Sequence, residues 1–269
     1  YIRRYNYADN YRSSDITASY SFKLSDLSTT VLLGAGQEYD KNEYESFLRY
    51  DLTDDSLTSI DAATTNGPIA GNYTEWSMRS YFGRINLTWA DKYLLEANLR
   101  ADGSSKFAPG HRWGYFPSVS AAWRISHEKF MQGSSAWLDN LKLRASYGSL
   151  GNNATTSYYM YRSLFATAGY VLNGSIAGGF AQAVLSNPNL SWEKTCMANI
   201  GLDASLFNSR LSASFDIYRK LTKGILISLP APLEHGTSTV PNQNAGEVCN
   251  KGLEVDLQWA DRIGSVSYH

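Results

Sequence analysis

Residues 81–102 read YFGRINLTWADKYLLEANLRAD, and this stretch decides the fold. Tyr81, Gly83, Ile85, Leu87 and Trp89 alternate with Phe82, Arg84, Asn86 and Thr88. After Ala90-Asp91-Lys92 the pattern resumes, with Tyr93, Leu95, Ala97 and Leu99 set against Leu94, Glu96, Asn98, Arg100 and Asp102. Alternation with period two puts one set on each face of a β-strand, and a short polar break between two such runs marks a hairpin.

The same period recurs outward from that hairpin. Tyr115, Val119, Ala121 and Trp123 share one parity, as do Leu141, Leu143, Ala145 and Tyr147. So do Leu211, Ala213, Phe215 and Ile217, and Leu253, Val255, Leu257 and Trp259. Ile16, Ala18, Tyr20, Phe22 and Leu24 repeat it near the start. Strands are expected at about 1–8, 15–24, 27–48, 74–90, 92–104, 112–126, 138–149, 191–207, 210–228, 249–260 and 264–269. Short links fall at Ser25-Asp26, Ala90-Asp91-Lys92, Asn208-Ser209-Arg210 and Asp261 to Gly264. An intermediate link with one helical turn in HEKFMQ falls on the same side. Long links, Asp51 to Tyr73, Gly103 to Arg112, Gly151 to Leu190 and Ser228 to Val248, fall on the other. Short turns on one side and long loops on the other are the asymmetry of outer-membrane barrels.

The aromatic residues give a second signature. The chain has 7 Trp, 19 Tyr and 10 Phe, 13% aromatic, with only 18% charged residues. Trp89, Trp123 and Trp259 end apolar faces next to short links, Tyr93 follows one, and Tyr81, Tyr115 and Tyr147 sit at the opposite ends. From Tyr81 to Trp89 is about 27 Å of strand at ~3.3 Å per residue. Tilted by ~40°, that is roughly 20 Å of height, close to the ~25 Å apolar band between aromatic girdles. A soluble sandwich explains the alternation equally well, but neither the two aromatic levels nor the segregated loops.

Composition excludes several classes. The formal net charge is -1, whereas nucleic-acid binders carry a basic excess. The charge-free stretch between Arg162 and Glu193 holds Asn173, Gly174, Gly178, Gly179 and Pro188, and reads as a long loop rather than a membrane helix. A mean hydropathy of -0.33 agrees. No HExxH, Walker A or GxSxG pattern occurs, and the four histidines lack metal-ligand spacing, so no enzyme, cofactor or metal is expected. The loop with Asp51, Asp54, Asp55 and Asp61 lacks the Gly-centred EF-hand pattern and reads as solvated. Cys196, on the apolar parity of its strand, and Cys249, at the start of another, lie on strands that run the same way with one between them, which disfavours a disulfide.

Several segments resemble one family. YFGRINLTWADKYLLEANLRADGSSKF (81–107), HRWGYFPSVSAAWRIS (111–126), WLDNLKLRASYGSLGNN (137–153), NPNLSWEKT (187–195), NIGLDASLFNSRLSASFDIYRKLT (199–222) and NAGEVCNKGLEVDLQW (244–259) are similar to the barrel of SusC/RagA-type TonB-dependent outer-membrane transporters. The likeness is collinear from Glu75 to Trp259. It implies an all-β, antiparallel, up-and-down transmembrane barrel in the outer membrane of Bacteroidetes-type bacteria. It implies import of oligosaccharides, peptides or other large nutrients, a SusD-like lipoprotein partner, and TonB acting through a plug. Plug and TonB-binding segments are not recognisable here. Residues 1–269 are thus expected to form about eleven strands, half of the roughly 22 in plugged transporters, with the first and last strands bonding to protein outside them. A passive porin and a carbohydrate-binding surface domain are the alternatives.

On that reading the polar parity supplies lumen residues: Arg84, Glu96, Arg100, Asp102, Arg124, Lys142, Arg144, Asp203, Asp216, Glu254 and Asp256. Their mixed signs fit a hydrogen-bonding wall rather than a single-sign ion filter. Ile85, Leu87, Leu95, Leu99, Val119, Leu143, Phe215, Val255 and Leu257 are expected to face lipid. Tyr81, Trp89, Tyr93, Tyr115, Trp123, Tyr147 and Trp259 are expected at the membrane interfaces.

Overall fold

The computed structural model describes residues 1–54, 56–154, 156–228, 230, 242–263 and 266–268. The strands are β1 (Ile2–Leu24), β2 (Leu27–Leu52), β3 (Ala63–Trp89), β4 (Tyr93–Ser104), β5 (Trp113–Arg124), β6 (Leu138–Asn152), β7 (Leu164–Leu172), β8 (Ser175–Val184), β9 (Glu193–Leu206), β10 (Leu211–Ile227), β11 (Gln243–Trp259), β12 (Asp261–Ile263) and β13 (Val266–Tyr268). Nine of them form one sheet in the order β1-β2-β3-β4-β5-β6-β9-β10-β11, each antiparallel to the next. The sheet is open, with β1 and β11 at its edges. Short 3-10 helices at Ile125–His127 and Lys129–Ser134 occupy the intermediate link.

Up-and-down order follows from the turns. Ser25, with φ 55, closes a two-residue turn between paired Leu24 and Leu27. Ala90 and Asp91 are left-handed between paired Trp89 and Tyr93, as are Phe207, Asn208 and Ser209 between Leu206 and Leu211. Such tight turns join antiparallel neighbours only.

Four sequence expectations change. Segments 1–8 and 15–24 are one strand, β1, paired without interruption to β2 from Ile2↔Arg49 to Leu24↔Leu27. Above Ile16 both faces turn polar, so periodicity vanishes while the hydrogen-bond ladder continues. The Asp51 to Tyr73 link shrinks, because β2 runs to Leu52 and β3 starts at Ala63. The stretch read as loop between Arg162 and Glu193 holds the β7–β8 hairpin, turned at Asn173 (φ 54) and Gly174 (φ 77). The last segment pairs with β12 as a separate small sheet rather than joining the large one. The large sheet therefore has nine strands, not eleven. Most of the Ser228 to Val248 link, together with Asp55, Gly264, Ser265 and His269, lies outside the described residues.

Among the described residues the upper half of β3 has a strand on one side only. Its pairing with β4 stops at Met78↔Ser104. Above that, Ser105 exchanges hydrogen bonds with Ser77, and the Tyr159 hydroxyl bridges the N–H and C=O of Glu75. From Ala63 to Thr74 that edge has no strand beside it among the described residues. The stretch carries Gly67, Pro68 and Gly71, and its register with β2 shifts between Phe47 and Arg49.

Candidate functional site

Cross-strand register sorts the side chains into two faces, because directly paired residues share a face. One row reads Leu24, Leu27, Trp89, Tyr93, Trp123, Leu143, Leu202, Phe215, Val255 across all nine strands. Two residues along, the row is Phe22, Thr29, Leu87, Leu95, Ala121, Ala145, Ile200, Ile217, Leu253. Between them, on the opposite face, runs Lys23, Ser28, Thr88, Leu94, Ala122, Arg144, Gly201, Asp216, Glu254. All eleven polar residues singled out from the sequence share this second face. All seven aromatics and the nine positions expected to face lipid share the first.

Nothing among the described residues covers the apolar face. Ile200, Leu253 and Leu257 are 60, 68 and 71% exposed. A sandwich would bury such a face against a second sheet. Trp89, Tyr93 and Trp123 form a continuous ring row, with centroids 5.5 and 6.4 Å apart. At the top of β3–β5, Tyr81 and Tyr115 flank Ala101 in one row. The next row holds Ser14, Gln37 and Arg79, where apolar character ends. Across the sheet the band is oblique. It tops out at Ile16 on β1 but at Leu253 on β11, six residues lower in register, beyond which Arg219 pairs with Lys251. Six residues at ~3.3 Å over eight spacings of ~4.8 Å is an inclination of roughly 27°, somewhat below the ~35–45° strand tilt of closed barrels.

The polar face is laced by ion pairs. Arg144 donates to both Asp203 oxygens at 3.2 Å and to Asp216 Oδ2 at 2.6 Å, while Lys142 reaches Asp203 at 2.9 Å. Ser214 adds a hydrogen bond to Asp203 at 3.0 Å. Gly201 makes this possible, since a Cβ there would overlap the Arg144 guanidinium and the Asp216 carboxylate. Arg100 grips Asp102 at 2.8 Å and Ser80 at 2.9 Å. Arg84 donates to Asn98, which donates to Glu96. Arg124 pairs with Asp91. Glu254 and Asp256 lie on the same face of β11, in register with Asp216 and Ser214 of β10.

Three clusters escaped sequence reading. Phe107, buried completely, and Phe116 both pack on Trp192 at 5.3 and 5.4 Å, and the indole N–H donates to Arg112 O at 2.9 Å. The Phe116 ring occupies the space a Cβ at Gly114 or Gly151 would need. Higher up, Lys106 sits over the rings of Trp76 and Tyr158 and donates to Asn153 O, and burial lowers its pKa. Trp76 and Tyr158 both donate to Asp40. These contacts root the 105–112 segment, Asn153 and the 156–163 segment on the wall. At the lower rim, Glu128 accepts from Lys92 at 2.8 Å, Tyr93 OH at 2.7 Å and Trp123 Nε1 at 3.2 Å. The only sequence signals were the GY pair at Gly114-Tyr115, the SWEK string and the acid in HEKFMQ, none of which states a contact.

The donors around Glu128, Lys92 first and Tyr93 second, hold its carboxyl at about 2, below the ordinary value of 4.5. A depressed folded-state pKa contributes stability that is full above the unfolded value and lost as pH falls through the folded one. The window is thus pH 4.5 down to about 2. At pH 7, Glu128→Gln is expected to speed amide exchange at Met131, whose N–H bonds to Glu128 O, and the wild-type advantage should fade by pH 2. A variant effect equal at both pH values would refute the assignment.

The whole of residues 1–269 matches the family model described as TonB dependent receptor-like, beta-barrel. The chain belongs to this TonB-dependent receptor family. It is an integral segment of the bacterial outer membrane, and the family is one of transporters and receptors rather than enzymes. It is 37% identical over 232 residues to TonB-dependent receptor P26 of Formosa agariphila, covering 85% of this chain and 23% of that protein. It is 34% identical over 192 residues to TonB-dependent receptor SusC of Bacteroides thetaiotaomicron, covering 68% of this chain and 18% of that one. The structure of the RagAB peptide transporter superposes with a TM-score of 0.86 at 29% identity, covering 97% of this chain and 29% of that chain. The SusC/RagA resemblance read from the motifs holds. The chain spans about a quarter of the length of the curated relatives P26 and P3 that it matches.

In this barrel family the two cysteines are placed as the sequence suggested. Cys196 and Cys249 are free and pair in register with Leu221 from either side, one strand between them.

Proposed function

We propose that these residues are part of the wall of an energy-coupled importer of large nutrients, oligosaccharides or peptides, and that a SusD-like lipoprotein caps it on the outer side. In this reading the apolar face contacts lipid, and Tyr81, Trp89, Tyr93, Tyr115, Trp123, Tyr147 and Trp259 sit at the interfaces. The face with Arg84, Glu96, Arg100, Asp102, Arg124, Lys142, Arg144, Asp203, Asp216, Glu254 and Asp256 lines the lumen. The short turns are periplasmic and the 153–163 and β7–β8 segments extracellular. Remaining strands and a plug that TonB pulls are supplied by protein outside residues 1–269.

The observation that carries this reading is the apolar row unbroken across nine strands, backed by a row bearing Arg144, Asp216 and Glu254. Paired charges of both signs hold the wall rigid and wet without a strong field, which suits a face that hydrogen-bonds a folded plug and passing polar cargo. RagAB, a similar structure, is described as a peptide importer. The test is uptake by cells carrying the full-length protein. Accumulation of labelled oligosaccharide or oligopeptide should require both this protein and TonB. Uptake that persists without TonB would identify a passive porin instead.

A further inference from the structure

The link from Ile125 to Trp137 differs from the other lower connections, which are tight turns. It begins on the polar face, where Arg124 pairs with Asp91 and His127 Nδ1 lies 3.4 Å from the same carboxylate. One residue later Glu128 holds the polar ends of Tyr93 and Trp123, whose rings stand on the apolar face. Between Arg124 and Glu128 the chain therefore passes under the rim, from the polar side to the apolar side.

Beyond Glu128 the link exposes large apolar side chains. Phe130 is 69% exposed and Trp137 49% exposed, with the 3-10 turn Lys129–Ser134 holding the first and leading to the second. Phe207 of the neighbouring turn, also exposed, donates its N–H to Trp137 O at 2.9 Å. Lys129 makes no ion pair among the described residues. Three exposed aromatics and one cation thus lie in the lower connections, next to the Glu128 bridge to Tyr93 and Trp123. Aromatic rings beside a lysine are the composition of segments that lie in a membrane interface.

We propose that residues 129–137 are an interfacial foot, with Phe130, Trp137 and Phe207 set among glycerophospholipid chains of the periplasmic leaflet and Lys129 at the phosphates. The proposal rests on the assignment of the apolar face to lipid. The bonds of Glu128 to Tyr93 and Trp123, which tie the link to that face, select lipid as the occupant. A periplasmic protein docking below the lumen would meet the polar side of the rim, which the link has left. The Glu128 contacts then act as the ankle that holds the foot against the girdle.

The test uses the full-length protein in phosphatidylethanolamine–phosphatidylglycerol nanodiscs, with native cysteines replaced. A nitrobenzoxadiazole label is placed at Gly133→Cys, where an added Cβ meets nothing within 4 Å. Ile200→Cys reports the apolar band and Asn10→Cys the upper aqueous region. Doxyl lipid labelled near the headgroup should quench the 133 label at least threefold more than the Asn10 label. F130S/W137S should at least halve that quenching. If position 200 is quenched while 133 matches Asn10, or is shielded from both doxyl lipid and iodide, the foot is refuted and the face assignment stands. If position 200 also matches Asn10, both fall together.

Discussion

Phe116→Ala is expected to destabilise the wall by about 3–5 kcal/mol, the range for deleting a large buried ring. Phe116 is 7% exposed, on the face that carries the ion pairs, and its ring fills the space left by Gly114 and Gly151 while meeting Trp192 edge-on. Removing it leaves a void bordered by two glycines that cannot fill it and a Trp192 held from moving by its bond to Arg112 O. The loss should appear in reversible denaturation of the full-length protein in lipid vesicles, and as faster amide exchange at Gly151 and Trp192. A cost below about 1 kcal/mol would mean the cluster is loosely packed. Gly151→Val approaches the same contact from the other side, by overlap rather than cavity.

Ile85→Arg should cost about 2–4 kcal/mol, the penalty for a cation on the lipid face near mid-bilayer. Ile85 lies midway between Tyr81 and Trp89, in the row with Val31, Ala97 and Val119, so depth leaves it no polar layer within reach. Its neighbour Asn86 faces the other way, in the row with Glu96 and Ser120. Asn86→Arg, one residue away, should therefore cost well under about 1 kcal/mol. Paired folding titrations of the two variants in vesicles decide the matter. Equal costs would remove the distinction between the faces.

The sequence carried the faces and lost the ends of the strands. Leu95 and Glu96 betray their sides because the two faces of the sheet differ so much in polarity, Leu95 standing in the row with Ala121 and Glu96 in the row with Ser120. Asp9 and Arg12 betray nothing, because upper β1 is exposed on both faces and the alternation lapses there. The β7–β8 hairpin was hidden differently. Asn173-Gly174 is the preferred pair for a turn with both central residues left-handed, yet the surrounding glycines and lack of charge read as loop. Phe107 and Phe116 stand on either side of one link, and Trp192 meets them from a segment far along the chain, so no local pattern encodes the contact. The Glu128 cluster shares this origin, since it joins a connection to two strands that precede it.

The upper edge of β3, which no strand flanks among the described residues, bears on how many copies a cell can carry. An exposed ladder of N–H and C=O groups invites a neighbouring molecule to add its own strand. In a crowded membrane, identical proteins stand side by side with their long axes aligned, which favours such zippering. Pro68 offers no N–H, and the register shift beside it turns the ladder out of line. Gly67 and Gly71 give an incoming strand little side-chain surface to grip. A tall wall can thus be displayed at high density without the copies fusing into sheets.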